Sequence, residues 1–180
     1  MNLHQDTCRV LFDQETIAKR VAELGRQITR DYQGKNLLMI CTLRGASVFF
    51  CDLIRHIDLP LKIDFIATSS YGCSTTTSGE VRMIKDTSES VKGKDVIIVE
   101  DIIDSGLTLS FLKKMFEARE AASVKVCTML DKPEGRKVDF KGDYVGFEVP
   151  NAFVVGYGLD YAEKYRNLPD VCVLDPKIYS

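Results

Sequence analysis

The chain has 180 residues, 45% of them hydrophobic, which suits one globular domain with a real core. Its formal net charge of -2 gives no global basic field of the kind that non-specific nucleic-acid binding requires, so a small ligand is the expected partner. No segment approaches the roughly 18 consecutive apolar residues of a membrane span, and the expected location is the cytoplasm.

Six cysteines (Cys8, Cys41, Cys51, Cys73, Cys127 and Cys172) are scattered without a CxxC pair, several of them inside apolar runs. They are expected to be reduced thiols packed as small hydrophobes. Only His4 and His56 are present, far apart and without a cysteine at ligand spacing, which gives a zinc site little support.

In chain order, Asp13 is a helix N-cap before Ile17, Val21, Leu24 and Ile28, whose spacings of four, three and four residues define one apolar helix face. The helix is expected to stop near Gly34. Residues 37–41 form a short apolar strand, and residues 46–57 a second helix with Val48, Leu53 and Ile57 available to face a sheet. Strand-like residues return at 62–69 and 80–84. Between them, residues 69–79 hold serines, threonines and two glycines but almost nothing to bury, which predicts a flexible loop unless a ligand orders it; a lid carrying Ser70 and Tyr71 is one explanation. Residues 95–100 (DVIIVE) are a continuous apolar strand, followed by an acidic turn, a helix over about 108–118 and a strand over 124–130. That order predicts α/β architecture with a mostly parallel sheet. Short strands at 144–149, 154–157 and 171–174 complete the chain, and no repeat or linker divides it.

The chemistry concentrates in residues 99–108 (VEDIIDSGLT), where three carboxylates and two hydroxyls crowd the carboxyl end of a buried strand, the end at which open α/β sheets bind ligands. Ser105, Gly106, Leu107 and Thr108 open the next helix, whose unpaired N–H groups and positive end suit a phosphate. Adjacent Glu100 and Asp101 repel each other unless a cation or hydroxyl donors offset their charge, so a sugar diol and a divalent ion are natural partners. The plainer alternative is an acidic turn in which Asp104 only caps the helix.

The ten-residue string resembles the phosphoribosyl-pyrophosphate signature of type I phosphoribosyltransferases. Further matches run in order: residues 43–45 (LRG), 69–72 (SSYG), 130–133 (LDKP) and 153–161 (FVVGYGLDY), ending in Tyr165-Arg166. Together they resemble the hypoxanthine-guanine branch of that family from about Val10 to Leu174. The resemblance implies the type I fold: a central, mostly parallel twisted sheet flanked by helices, a small hood of N- and C-terminal segments, and a flexible lid loop.

It also implies roles. Glu100 and Asp101 would sit by the ribose hydroxyls and Mg2+, residues Asp104 to Thr108 would wrap the 5'-phosphate, and Asp104 would accept the purine N7 proton. Lys132 would donate to the purine 6-oxo group, Phe153 would stack on the base, and Val154 would offer backbone bonds; taken alone, Lys132 reads as a solvated strand-end lysine and Phe153 as a core aromatic. Adenine, with an amino donor at position 6, would face a second donor in Lys132. Asp160 would be a second metal-binding carboxylate beside the purine, reached partly through water. Arg166 would hold pyrophosphate with its planar fork, as would the loop of Arg44 and Gly45, in the family through a cis peptide before residue 44. Purine N9 would attack ribose C1 as Mg-bound pyrophosphate leaves. The one departure within the signature is Ser105, where threonine is frequent; it keeps the hydroxyl. Family members are commonly homodimers or homotetramers. Two rivals have different functions: a regulator that senses phosphoribosyl pyrophosphate on the same fold, and a receiver-like phosphotransfer domain, which expects its acid pair near the start of the chain.

Overall fold

The computed structural model describes residues 3–70 and 81–179. Nine strands and three helices are described: β1 (Thr7–Phe12), α1 (Gln14–Asp31), β2 (Leu37–Leu43), α2 (Ser47–Ile54), β3 (Lys62–Ser70), β4 (Val81–Lys85), β5 (Asp95–Ile103), α3 (Leu107–Ala118), β6 (Ser123–Asp131), β7 (Tyr144–Glu148), β8 (Val154–Val155) and β9 (Val171–Leu174). Six strands form the main sheet in the order β4-β3-β2-β5-β6-β7, parallel throughout except for the antiparallel edge strand β4.

Alternation along the central strands explains why helices cover both faces. On β2, Leu37, Met39 and Cys41 pack with α1 and α2, while Leu38 and Ile40 turn to the opposite side. There they meet Leu112 and Phe116 of α3. Side chains that alternate across a strand and are apolar on both faces demand this three-layer arrangement. α1 starts where expected: the Asp13 side chain accepts from Thr16 N at 2.8 Å, and Ile17, Val21, Leu24 and Ile28 are all buried. Such a cap contributes about 1 kcal/mol.

α2 corrects one expectation. It buries Phe49, Phe50 and Leu53, whereas Val48 is exposed and Ile57 is buried beyond the helix end. Two adjacent phenylalanines outweigh one valine in apolar area and set which face turns inward.

β5 corrects another. The acidic turn expected after residue 100 is strand: Glu100 pairs in register with Thr128 and Ile102 with Leu130 of β6, so the acid pair sits inside the ladder. The turn begins only at Asp104.

A second sheet, β1-β9-β8, joins the N- and C-terminal segments as the hood. Thr7 pairs with Leu174 and Phe12 with Val171, and Tyr165 donates its hydroxyl to Asp6 Oδ2 at 2.8 Å. Val155, Tyr165, Leu168, Cys172 and Leu174 form its small core. Five cysteines (Cys8, Cys41, Cys51, Cys127 and Cys172) are free thiols, while Cys73 lies outside the described residues. Among the described residues, no helix is long and apolar enough to cross a membrane.

Candidate active site

At the carboxyl ends of β2 and β5 lies a cleft of about 310 Å³, lined by residues 42–45 and 100–106 with Thr68, Thr108, Leu109, Asp160 and Arg166. Its position follows from topology: parallel strands deliver their C-terminal loops to one edge of the sheet, where β2 and β5 lead into helices on opposite faces.

The floor is the acid pair. Glu100 Oε2 and the neighbouring Thr42 Oγ1 are buried and have no hydrogen-bond partner. Burial, and then the charge of Asp101, push the Glu100 carboxyl well above the usual carboxylate range. Burial also raises Asp101, although the Ile102 N–H, donating to Asp101 Oδ1 at 2.7 Å, works against that shift. Two crowded acids with an unpartnered oxygen make a site that lacks a cation or hydroxyl donors.

Gly45 is what lets Asp101 sit there. A Cβ at residue 45 would lie 1.6 Å from Asp101 Oδ2, so any side chain displaces the carboxylate. The peptide before Arg44 is cis, which the sequence could not reveal.

The adjoining wall is an anion cradle. Gly106, at φ 78°, is the N-cap of α3 and supplies no side-chain cap, so the opening turn presents N–H groups beside Thr108 and Leu109 of the cleft. A twelve-residue helix adds its positive end. Asp104 therefore does not cap the helix: its Oδ2 pairs with Lys132 Nζ at 2.8 Å.

Several groups escaped the sequence reading. A Cβ on Gly135 would fall 1.8 Å from Asp104 Oδ1, so glycine is again needed for a carboxylate's place. Arg136 donates to the carbonyls of Ile103 at 2.7 Å and Asp104 at 2.5 Å, and pairs with Asp131. It thereby ties the ends of β5 and β6 together beneath the cradle. The only signal was an arginine just after the LDKP string, which alone specifies nothing. Thr42 and Thr68 are polar residues in apolar strands and line the cleft. Glu163 was equally silent; it pairs with Arg44 at 2.8 Å and lies 3.5 Å from Arg166.

Of the expected site residues, Arg44, Gly45, Glu100, Asp101, Asp104, Ser105, Gly106, Thr108, Asp160 and Arg166 all line the cleft. Leu107 is the first residue of α3. Arg166 binds Asp160 Oδ1 at 2.8 Å and donates to the Gly158 carbonyl at 2.9 Å, so its fork is held half-buried at the rim. Lys132, Phe153 and Val154 do not line the cleft. Lys132 reaches it through Asp104, and Phe153 packs edge-on against Tyr161, the neighbour of Asp160, with centroids 5.5 Å apart. Val154 is buried in β8, paired with Val173. Ser70 ends β3, and Tyr71 lies outside the described residues. Among the described residues, no three His, Cys, Asp or Glu side chains converge on one point, so Glu100, Asp101 and Asp160 share the cleft without forming a protein-only metal cage.

Known proteins resemble this chain in both sequence and fold. The phosphoribosyl transferase domain family matches residues 10–162. A hypoxanthine-guanine phosphoribosyltransferase of Bacillus subtilis is 57% identical over 177 residues, covering 98% of both chains. One from Streptococcus thermophilus is 53% identical over 178 residues, covering 99% of both. Among solved structures, a hypoxanthine phosphoribosyltransferase of Staphylococcus aureus superposes with a TM-score of 0.95 at 47% identity, covering 99% of this chain and 97% of that one. A point mutant of the Trypanosoma cruzi hypoxanthine phosphoribosyltransferase, solved as a ternary substrates complex, gives a TM-score of 0.93 at 44% identity, covering 98% and 100%. These relatives are transferases, which sets aside the regulator and receiver readings. The chain belongs to the phosphoribosyl transferase family, among the hypoxanthine-guanine phosphoribosyltransferases.

Proposed function

We infer that this chain acts in purine salvage, moving the 5-phosphoribosyl group from 5-phosphoribosyl 1-pyrophosphate to hypoxanthine or guanine, with IMP or GMP and pyrophosphate as products. The observation that carries the reading is the join of β5 to α3. Within a few residues it sets two buried acids, an open helix N-terminus and an exposed carboxylate along one cleft.

Each residue then has a task. Glu100 and Asp101 would hold the ribose hydroxyls and, together with Asp160, Mg2+. The unpartnered Glu100 Oε2 fits this assignment, since Mg2+ usually takes one or two carboxylates plus substrate oxygens. Bound there, Mg2+ would neutralise charge on the departing pyrophosphate. Asp104, Ser105, Gly106, Leu107 and Thr108 bind the 5'-phosphate through backbone N–H groups and hydroxyls. Asp104 takes the N7 proton of the base. Lys132 selects a 6-oxo group, Phe153 stacks on the purine, and Val154 and Asp160 border its far edge. Arg44, Gly45 and Arg166 hold pyrophosphate. The chain works as one catalytic unit in the cytoplasm, as a homodimer or homotetramer.

The test is pyrophosphate release from phosphoribosyl pyrophosphate and Mg2+ with four purines offered separately. Hypoxanthine and guanine should react and adenine should not. No release with either 6-oxopurine, or equal use of adenine, contradicts the reading.

A further inference from the structure

The final residues of the chain fold back onto the ring assigned to the base. Leu174 N donates to the Phe153 carbonyl at 2.9 Å and Asp175 N to the Asp6 carbonyl at 2.9 Å, which fixes the chain leaving β9 to both sides of the hood. Asp175 then caps a single 3-10 turn, Pro176–Ile178, accepting from Lys177 N. The next residue, Tyr179, lands on Phe153, with ring centroids 5.2 Å apart and planes inclined at 32°. Tyr161 closes the cluster edge-on to Phe153 at 89°, with its centroid 6.2 Å from that of Tyr179.

A phenylalanine at a surface rotates over a broad torsional well, and an unrestrained ring presents a poor stacking platform. Here two rings restrain it from different directions. Tyr161 meets it edge-on and directly follows the cleft's own Asp160 in the chain, whereas Tyr179 lies tilted beside it. Phe153 still keeps 39% of its surface exposed, so the two tyrosines do not close it off from a ligand.

We propose that Tyr179 is a positioning residue for the purine: it holds the Phe153 ring at the angle at which the base stacks, and so extends the base site to the C-terminal turn. This rests on the assignment of Phe153 to the base, made above. Tyr179 touches Phe153 and not the reacting atoms, so it should act on purine affinity and leave the sugar-phosphate half of the site alone.

Steady-state kinetics of Tyr179→Ala and Tyr179→Phe, with thermal unfolding of both, test the proposal. Loss of one aromatic contact behind the ring should raise KM for hypoxanthine by about tenfold in Tyr179→Ala. Turnover and KM for phosphoribosyl pyrophosphate should stay within about twofold of the parent, because no transition-state contact is removed. Tyr179→Phe, which keeps the ring, should behave as the parent, and both variants should unfold at its temperature. An unchanged hypoxanthine KM in Tyr179→Ala overturns the proposal. A lowered KM also overturns it, since the ring would then be occupying the place of the base. A parallel rise of both substrates' KM values would overturn it too, by showing a merely structural role. A parent protein that makes no IMP at all overturns the activity itself, which separates that failure from failure of the Tyr179 assignment.

Discussion

Lys132 Nζ and Asp104 Oδ2 stand 2.8 Å apart, so the two residues assigned to the neighbouring 6-oxo and N7 positions of the purine are paired with each other. The lysine is the more buried partner, at 14% side-chain exposure against 52% for the carboxylate. A base entering between them replaces this contact with its own 6-oxo and N7 groups. Lys132→Ala should therefore raise KM for hypoxanthine by about tenfold to a hundredfold, the cost of an unpaired buried acceptor, as read in initial-rate assays. Unchanged hypoxanthine affinity would place the lysine outside the base site.

Gly45→Ala should disable the site without unfolding the chain. The added methyl lies 1.6 Å from Asp101 Oδ2 and must drive that carboxylate aside, while the backbone of residue 45 is not in the left-handed region. A displacement on the ångström scale should lower kcat/KM for phosphoribosyl pyrophosphate by about 100-fold, with unfolding temperature little changed. Retained kcat/KM would show that Asp101 is not held to its position.

Glu100→Gln should make the protein more stable and less active. The buried Glu100 Oε2 has no partner, and burial and Asp101 both work against its charge. A neutral amide relieves the repulsion, which in a chain of this size is worth roughly 2–4 °C of Tm per 1 kcal/mol. Calorimetry without Mg2+ should show the rise, and assays with Mg2+ the loss of turnover. A lower Tm would contradict the picture of a strained acid pair.

How much of this was legible in the sequence depended on whether the signal was local. The capped face of α1 was readable from its helical period, and β5 from its unbroken apolar run. β1 was not, because Thr7 to Phe12 becomes a strand only by pairing with β9, some 160 residues on, and none of it is fully buried. Asp101 looked like the start of a turn because charges rarely sit inside a ladder; the cleft, not the strand, accounts for it. The acid-rich string itself was visible as a phosphate and sugar site. The Asp104–Lys132 pair was not, since it depends on the register that sets Ile103 beside Asp131, and neither was Arg136, whose partners besides Asp131 are backbone carbonyls.

Away from the cleft, Asp64 should govern acid stability. Burial alone would raise its carboxyl, but the amides of Phe65 at 2.8 Å and Ser88 at 2.6 Å, with Lys85 nearby, outweigh burial and hold it below the usual range. A depressed folded-state value means that the stabilisation is present above about pH 4, the unfolded carboxylate value, and is lost as pH falls through the folded value. Asp64→Asn should cost about 2 kcal/mol at pH 7 and progressively less below pH 4, as urea titrations would show. An equal cost at both pH values would mean that the charge contributes nothing.

The central claim is that Asp104 serves the chemistry at a cleft whose phosphate and sugar contacts come from its neighbours. Asp104→Asn keeps the shape and removes the base, so the decisive measurement is its turnover set beside its affinity for IMP. Turnover should fall by about two to four orders of magnitude, the usual worth of a general base, while IMP affinity stays within about threefold. Equal loss of both, or turnover left intact, would contradict the account.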